Sequence, residues 1–214
     1  MMSYHALVPV KTLTSAKSRL AAHLPPHERE TLVLDMLCHV LSVLRASEVL
    51  EKIVVVSPDE RVLERARCRG AQAWLEEAVG HNPALLAAAT RIRAEGASAL
   101  LTISADLPLL RVTDIRALVS RAADHPIVIA PSREGTGTNA LLTRPPLAIP
   151  YLFGPNSFHR HVQAAGQRQL SVSIYYSTGL AWDIDTIDDI HELREYQSGV
   201  QHELAAHSSS CFPG

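Results

Sequence analysis

Short apolar runs without polar alternation recur along the chain, separated by longer stretches in which apolar residues return every three or four positions. Residues 6–10 (ALVPV), 53–56 (IVVV), 100–104 (LLTIS) and 127–130 (IVIA) are runs of the first kind. A strand apolar on both sides must be covered on both faces, as in a parallel sheet packed between helices. Shorter β-like runs occupy residues 72–75, 139–143 and 172–175. From Pro26, residues Leu32, Val33, Met36, Leu37, Val40, Leu41 and Leu44 follow helical spacing and predict a long amphipathic helix. Helices are also predicted over residues 60–69, 83–95 and 112–123, from Ser157, and after Thr186. Repeated strand–helix units predict an α/β fold, a three-layer sandwich around a mostly parallel sheet. With no internal repeat or low-complexity linker, residues 1–197 read as a single domain and residues 198–214 as a frayed tail.

In such sheets ligands bind beyond the carboxyl ends of the strands, so the residues that follow strands carry most of the information. After the first run, residues 11–19 combine Lys11, Lys17 and Arg19 with the hydroxyls of Thr12, Thr14, Ser15 and Ser18. A helix starting near Ser15 would aim its N-terminus at an anion; the same residues also read as a solvated helix start. Neither GxxxxGK[ST] nor GxGxxG occurs, so a P-loop NTPase or a standard dinucleotide fold is not supported.

Asp106 stands at the tip of the central run, where Pro108 stops the strand. Asp183 and Asp185 follow a later β-like segment and precede a helix. Carboxylates from separate strand tips suit Mg²⁺, which takes one or two of them and completes its shell with water and phosphate. Asp185-Thr186 also fits a helix N-cap, and the two uses are compatible. Residues 134–139 and 153–158 are Gly-containing turns that allow a phosphate or carboxylate to approach the backbone. His202 and His207 resemble a zinc motif, but five residues apart they sit about 140° around a helix and share no metal. His159 and His161 read as surface residues, Cys38 and Trp74 as packing residues.

The charge balance, 20 Lys plus Arg against 22 Asp plus Glu, gives −2 and no bulk attraction to nucleic acid or anionic lipid. Three scattered cysteines form neither a CxxC pair nor a disulfide framework, and no run reaches the length of a membrane span or a secretory signal. A cytoplasmic protein is expected.

Taken in order, VPVK at 8–11, AKSRL at 16–20, DLPLL at 106–110, GTGTNAL at 135–141, FG at 153–154 with SF at 157–158, and DIDT at 183–186 resemble one family. It is the 2-phospho-L-lactate/phosphoenolpyruvate guanylyltransferases of coenzyme F-420 biosynthesis, and the resemblance extends from about Ala6 to Tyr196. It implies a GT-A-like nucleotidyltransferase (nucleotide-diphospho-sugar transferase) fold with GTP as co-substrate and Mg²⁺ as cofactor. The implied reaction transfers GMP to a small phosphorylated three-carbon acid, phosphoenolpyruvate or 2-phospho-L-lactate. The product would pass to a downstream transferase, and a homodimer is compatible with the family.

By the same resemblance, Asp106 and Asp185 would hold the metal, with Asp183 a competing ligand. Lys11, Lys17 and Arg19 would face the triphosphate, Lys17, Arg19 and Asp106 being the catalytic set. Thr138, Gly154 and Ser157 would hold the phosphate and carboxylate of the acid, and Asn82 the nucleoside. His81-Asn82-Pro83 departs from the Gly-Leu-Asn expected there, Asn156 replaces a glycine and Ser132 an Asp. The residues do not choose among phosphoenolpyruvate, 2-phospho-L-lactate and 3-phosphoglycerate. A nucleotidyltransferase of sugar or molybdenum-cofactor activation is one alternative; a non-catalytic nucleotide-binding module is another.

Overall fold

In the computed structural model, which describes residues 2–76 and 78–209 with side chains through residue 198, the apolar runs form one seven-stranded sheet. Its strands are β1 (Tyr4–Pro9), β2 (Lys52–Ser57), β3 (Gln72–Leu75), β4 (Ala99–Ile103), β5 (Ile127–Pro131), β6 (Thr138–Thr143) and β7 (Val172–Ile174). They lie in the order β3-β2-β1-β4-β6-β5-β7. All pairings are parallel except those of β6, which runs antiparallel to both β4 and β5.

Side chains of a strand alternate between faces, and here both faces are dry. Ala6 and Val8, Ile53 and Val55, and Leu101 and Ile103 join one core, with Leu37, Val40 and Leu44 of α1 (Pro26–Ala46), Val62 of α2 (Glu60–Cys68) and Ile115 and Leu118 of α4 (Val112–Arg121). Leu7, Val54, Leu100 and Ile129 point the other way, against Leu85, Ala89 and Ile92 of α3 (His81–Ala94) and Ala164 and Ala165 of α5 (Ser157–Gln167). The three layers follow from that division. Cys38 is buried on α1, and Trp74 packs on the second core beneath the Arg91 guanidinium, 3.9 Å from its ring centre.

Two features lie outside the sequence pattern. A four-residue helix, α6 (Thr178–Ala181), follows β7. No α-helix begins near Ser15: residues 13–17 form turns that lead into a 3₁₀ segment, Ser18–Leu20. The last helix is α7 (Ile187–Ser209). The His202 and His207 side chains and residues 210–214 lie outside the described residues.

Candidate active site

The chain order reverses between β1 and β4: β2 and β3 extend the sheet to one side of β1, and β4 opens the other. Loops leaving neighbouring strands in opposite directions part there and open a crevice at the carboxyl ends. A cleft of about 860 Å³ occupies this position. The loops after β1 and β4, the 132–139 turn, the 153–157 turn and the 183–185 segment all line it. Of the residues that the family resemblance places in the site, Lys11, Lys17, Arg19, Asp106, Asp183, Asp185, Thr138, Gly154 and Ser157 line it, and Asn82 does not.

Lys17 is at the centre. Its backbone is left-handed, φ 52°, an uncommon state for a residue with a Cβ. Its side chain is 8% exposed, and its Nζ donates to Asp106 Oδ2 and, at 2.9 Å, to Asp185 Oδ1. Burial alone would push its pKa down, but the Asp106 and Asp185 carboxylates outweigh burial and hold the ammonium above its usual value. Lys17 thus stands among the acidic residues instead of extending freely into the cleft. Arg19 is exposed and approaches Asp185 Oδ2 at 3.6 Å, and Lys11 is exposed at the rim. The loop that carries them is pinned by Asp59, whose Oδ2 accepts from the Leu13 amide at 3.0 Å.

The acidic group is assembled across a long sequence separation. The Ile184 amide donates to the Asp106 carbonyl at 3.3 Å, drawing the 183–185 segment against the tip of β4. Asp183 is the inner carboxylate. Burial raises its pKa, the Asp106 and Asp185 charges add to the rise, and a 2.9 Å bond from Asn139 Nδ2 opposes it. Thr186 and Asp189 cap α7 reciprocally: Asp189 Oδ2 accepts from the Thr186 amide at 2.7 Å, and Thr186 Oγ1 from the Asp189 amide at 3.3 Å. The cap therefore belongs to Thr186, and the Asp185 side chain stays on the cleft.

Thr138 and Ser157, both buried, and exposed Gly154 also line the cleft. Gly154 has φ 117°, which side chains with a Cβ rarely adopt. Asn156 is also left-handed, φ 58°, and asparagine tolerates that region well, so it serves where a glycine was expected. Ser132 accepts from the Gly137 amide at 2.9 Å, a bond that an Asp side chain also makes in such turns. A Cβ on Gly137 would stand 2.9 Å from that same Ser132 Oγ, so a larger residue there must displace the hydroxyl that makes this bond.

Asn82 acts on the loop and not in the cleft. Its Nδ2 donates to the Phe153 carbonyl at 3.0 Å and its Oδ1 accepts from the Phe153 amide at 2.9 Å. His161 corrects the surface reading: it is fully buried, bonded to Thr138 and Leu152, while His159 is exposed. Burial, aided by the neighbouring Arg160 charge, lowers the His161 pKa to about 4. Helical periodicity carried the signal for it, since Phe158, His161 and Ala165 share one face of α5 and are all buried.

A smaller recess of about 240 Å³ adjoins the cleft beyond β2 and β3, lined by Lys11, Ser15, Glu76, Gly80 and His81 among others. Burial raises the Glu76 pKa, and burial with the Lys11 charge lowers that of His81.

Asp106 Oδ1 is buried and has no hydrogen-bond partner among the described residues. An ionised oxygen left in that state is costly unless a cation meets it. No group of three or more His, Cys, Asp or Glu side chains is arranged around a metal among the described residues. Mg²⁺ does not require one, because substrate phosphates and water supply most of its ligands. Asp106 and Asp185 therefore fit the ion.

Fold and cleft together define a class: an α/β fold of the nucleotide-diphospho-sugar transferase type, with a cleft at the switch point of the sheet. Solved structures agree on the fold. A Desulfovibrio desulfuricans G20 protein assigned to the nucleotide-diphospho-sugar transferases superposes with a TM-score of 0.76, at 14% identity over 90% of this chain and 87% of that one. A 4-diphosphocytidyl-2C-methyl-D-erythritol synthase from Anaerococcus prevotii gives 0.63, at 10% identity over 92% and 99%. The family model "Guanylyl transferase CofC like" matches residues 4–203, and the chain belongs to that family. The phosphoenolpyruvate guanylyltransferase of Rubrobacter xylanophilus is 46% identical over 94% of this chain and 98% of its own length. The 2-phospho-L-lactate guanylyltransferase of Methanothermobacter thermautotrophicus is 36% identical over 91% and 86%. Among the described residues no helix is long and apolar enough to cross a membrane.

Proposed function

We propose that this chain transfers GMP from GTP to the phosphate of a small phosphorylated three-carbon acid, releasing pyrophosphate, as a cytoplasmic step of coenzyme F-420 biosynthesis. Phosphoenolpyruvate is the favoured acceptor, given the 46% identity to a relative named for it. The observation that carries the reading is that one cleft is lined by cations, by carboxylates, and by a glycine, a threonine and a serine. The acceptor needs no general base, because a phosphate monoester with a second pKa near about 6 is largely dianionic at neutral pH. One of its oxygens attacks the α-phosphorus of GTP, a new P–O bond forms, and the bond to the β-phosphate breaks.

Charge neutralisation and alignment then carry the catalysis. Lys11 and Arg19, exposed at the rim, neutralise the triphosphate. Lys17 holds Asp106 and Asp185 in place, and those two would hold Mg²⁺, with Asp183 behind them. When bound, the ion supplies positive charge to the phosphates. Thr138, Gly154 and Ser157 receive the phosphate and carboxylate of the acid, with Asn82 clamping the loop that bears Gly154. The activated product then passes to a downstream transferase.

The adjoining recess suits the base. A carboxylate at Glu76 accepts from the N1 and N2 protons of guanine, a pair that adenine lacks. Glu76→Gln is expected to lower kcat/KM for GTP about tenfold, the loss of a charge-assisted bond, and to reduce preference for GTP over ITP. An unchanged GTP/ITP ratio would remove Glu76 from base recognition.

The overall reading is tested by pyrophosphate release with GTP, Mg²⁺ and, in turn, phosphoenolpyruvate, 2-phospho-L-lactate and 3-phosphoglycerate, with ATP and CTP as nucleotide controls. Release with GTP and one acid supports the class and identifies the acceptor. No release with any acid, with the downstream transferase present to draw off product, would overturn it.

A further inference from the structure

His161 makes two hydrogen bonds, and together they determine where its proton lies. The Leu152 amide, which can only donate, lies 3.0 Å from Nε2, so Nε2 carries the lone pair. Neutral imidazole then bears its single proton on Nδ1, which lies 3.1 Å from Thr138 Oγ1. Nδ1 must donate, and Thr138 Oγ1 must accept. The Thr138 hydroxyl proton is thereby turned away from His161. It has no acceptor among the described side-chain contacts, and Thr138 lines the cleft.

The ring itself has little freedom to move. His161 is fully buried, and Phe153 packs edge-on against it with centroids 5.0 Å apart. Leu152 and Phe153 lead directly into Gly154, so His161 links the start of β6 to the turn on the same wall of the cleft.

We propose that His161 is a positioning residue that commits the Thr138 hydroxyl to donate its proton to an anionic oxygen of the phosphorylated acid. This rests on the reading of Thr138 as an acid-binding residue. A threonine free to rotate would spend part of its time presenting a lone pair to the anion; Thr138 is biased against doing so. The consequence is selective, because it strengthens acid binding and leaves the nucleotide contacts alone.

The test is steady-state kinetics with separate KM values for phosphoenolpyruvate, or whichever acid is used, and for GTP. Thr138→Val is expected to raise the acid KM about tenfold, as loss of a hydrogen bond to a charged group does, with the GTP KM within about twofold. His161→Asn places an amide nitrogen near the Nδ1 position, keeps the donor to Thr138, and is expected to raise the acid KM no more than about threefold. His161→Gln reaches toward Leu152 but lacks that donor, and a rise of about fivefold to tenfold is expected. The double variant Thr138→Val/His161→Gln should be no worse than Thr138→Val alone, since both remove one interaction.

Equal acid KM values for the Asn and Gln variants would overturn the proposal, as would equal rises in the acid and GTP values. The two variants disturb packing comparably, so their difference, and not either loss, is the readout. Additive effects in the double variant would also overturn it. A silent Thr138→Val would instead remove Thr138 from the acid site, and with it the reading on which the proposal rests.

Discussion

Replacing Asp106 with Asn is expected to lower kcat/KM for pyrophosphate release by about 10²–10³-fold, the usual cost of removing a preorganised charge from a reacting centre. The substitution preserves shape, and the amide oxygen still accepts from Lys17 Nζ, so the loop after β1 keeps its anchor. What disappears is the negative charge on Oδ1, the buried oxygen with no partner among the described residues. Lys17 loses one of its two carboxylate partners but keeps Asp185, which is 48% exposed and screened by water. Some stability is therefore lost, and thermal unfolding should be recorded beside the kinetics. The midpoint of a Mg²⁺ titration should move to higher concentration. If the variant retained wild-type activity at saturating Mg²⁺, Asp106 would be a tether for Lys17 and not a metal ligand. That outcome would return the acidic wall to a structural role.

The second large effect is a loss of stability in acid that originates at His161. Its pKa in the folded protein is about 4, below the 6.5 of a free histidine, because burial disfavours the imidazolium and Arg160 repels it. As pH falls, the unfolded chain therefore takes up the proton first. Above pH 6.5 the contribution to stability is complete; it erodes between 6.5 and about 4, where its loss is greatest. At about 1.4 kcal/mol per pH unit, the full loss is about 3 kcal/mol. Urea unfolding of wild type and His161→Gln at about pH 7 and about pH 4.5 isolates this term, since other titrating groups are common to both proteins. Wild type should lose more stability than the variant over that interval. Parallel pH profiles would show that His161 is not the acid-sensitive group. Protonation also removes the Nε2 lone pair that accepts from Leu152, so acid loosens the wall that bears Thr138 as well.

Asn82 and His161 show where reading from sequence stops. From sequence, both stand beside Gly-containing turns or strand ends, where Asn82 reads as a nucleoside contact and His161 as a surface residue. Asn82 pairs instead with Phe153, 71 positions away, and His161 turns inward because its face of α5 packs on the sheet. Lys17 illustrates the same limit. Its charge and its position after β1 were legible as an anion-facing loop. Its pairing with Asp106 and Asp185, 89 and 168 positions distant, was not.

Local pattern determined much of this protein by itself. Apolar runs without alternation dictate strands covered on both faces, helical periodicity dictates their cover, and residues that end strands must lie at the sheet's carboxyl edge. These inferences hold because strand and helix periods act over a few residues. The order of strands does not act locally: it places β4 beside β1 and reverses β6, and so decides which strand ends share a crevice. Only that packing brings Asp106, Asp185 and Lys17 together, buries an Asp106 oxygen without a partner among the described residues, and sets the tautomer of His161. Each of those properties depends on burial and on neighbours remote in the chain, so it exists only once the tertiary structure has formed.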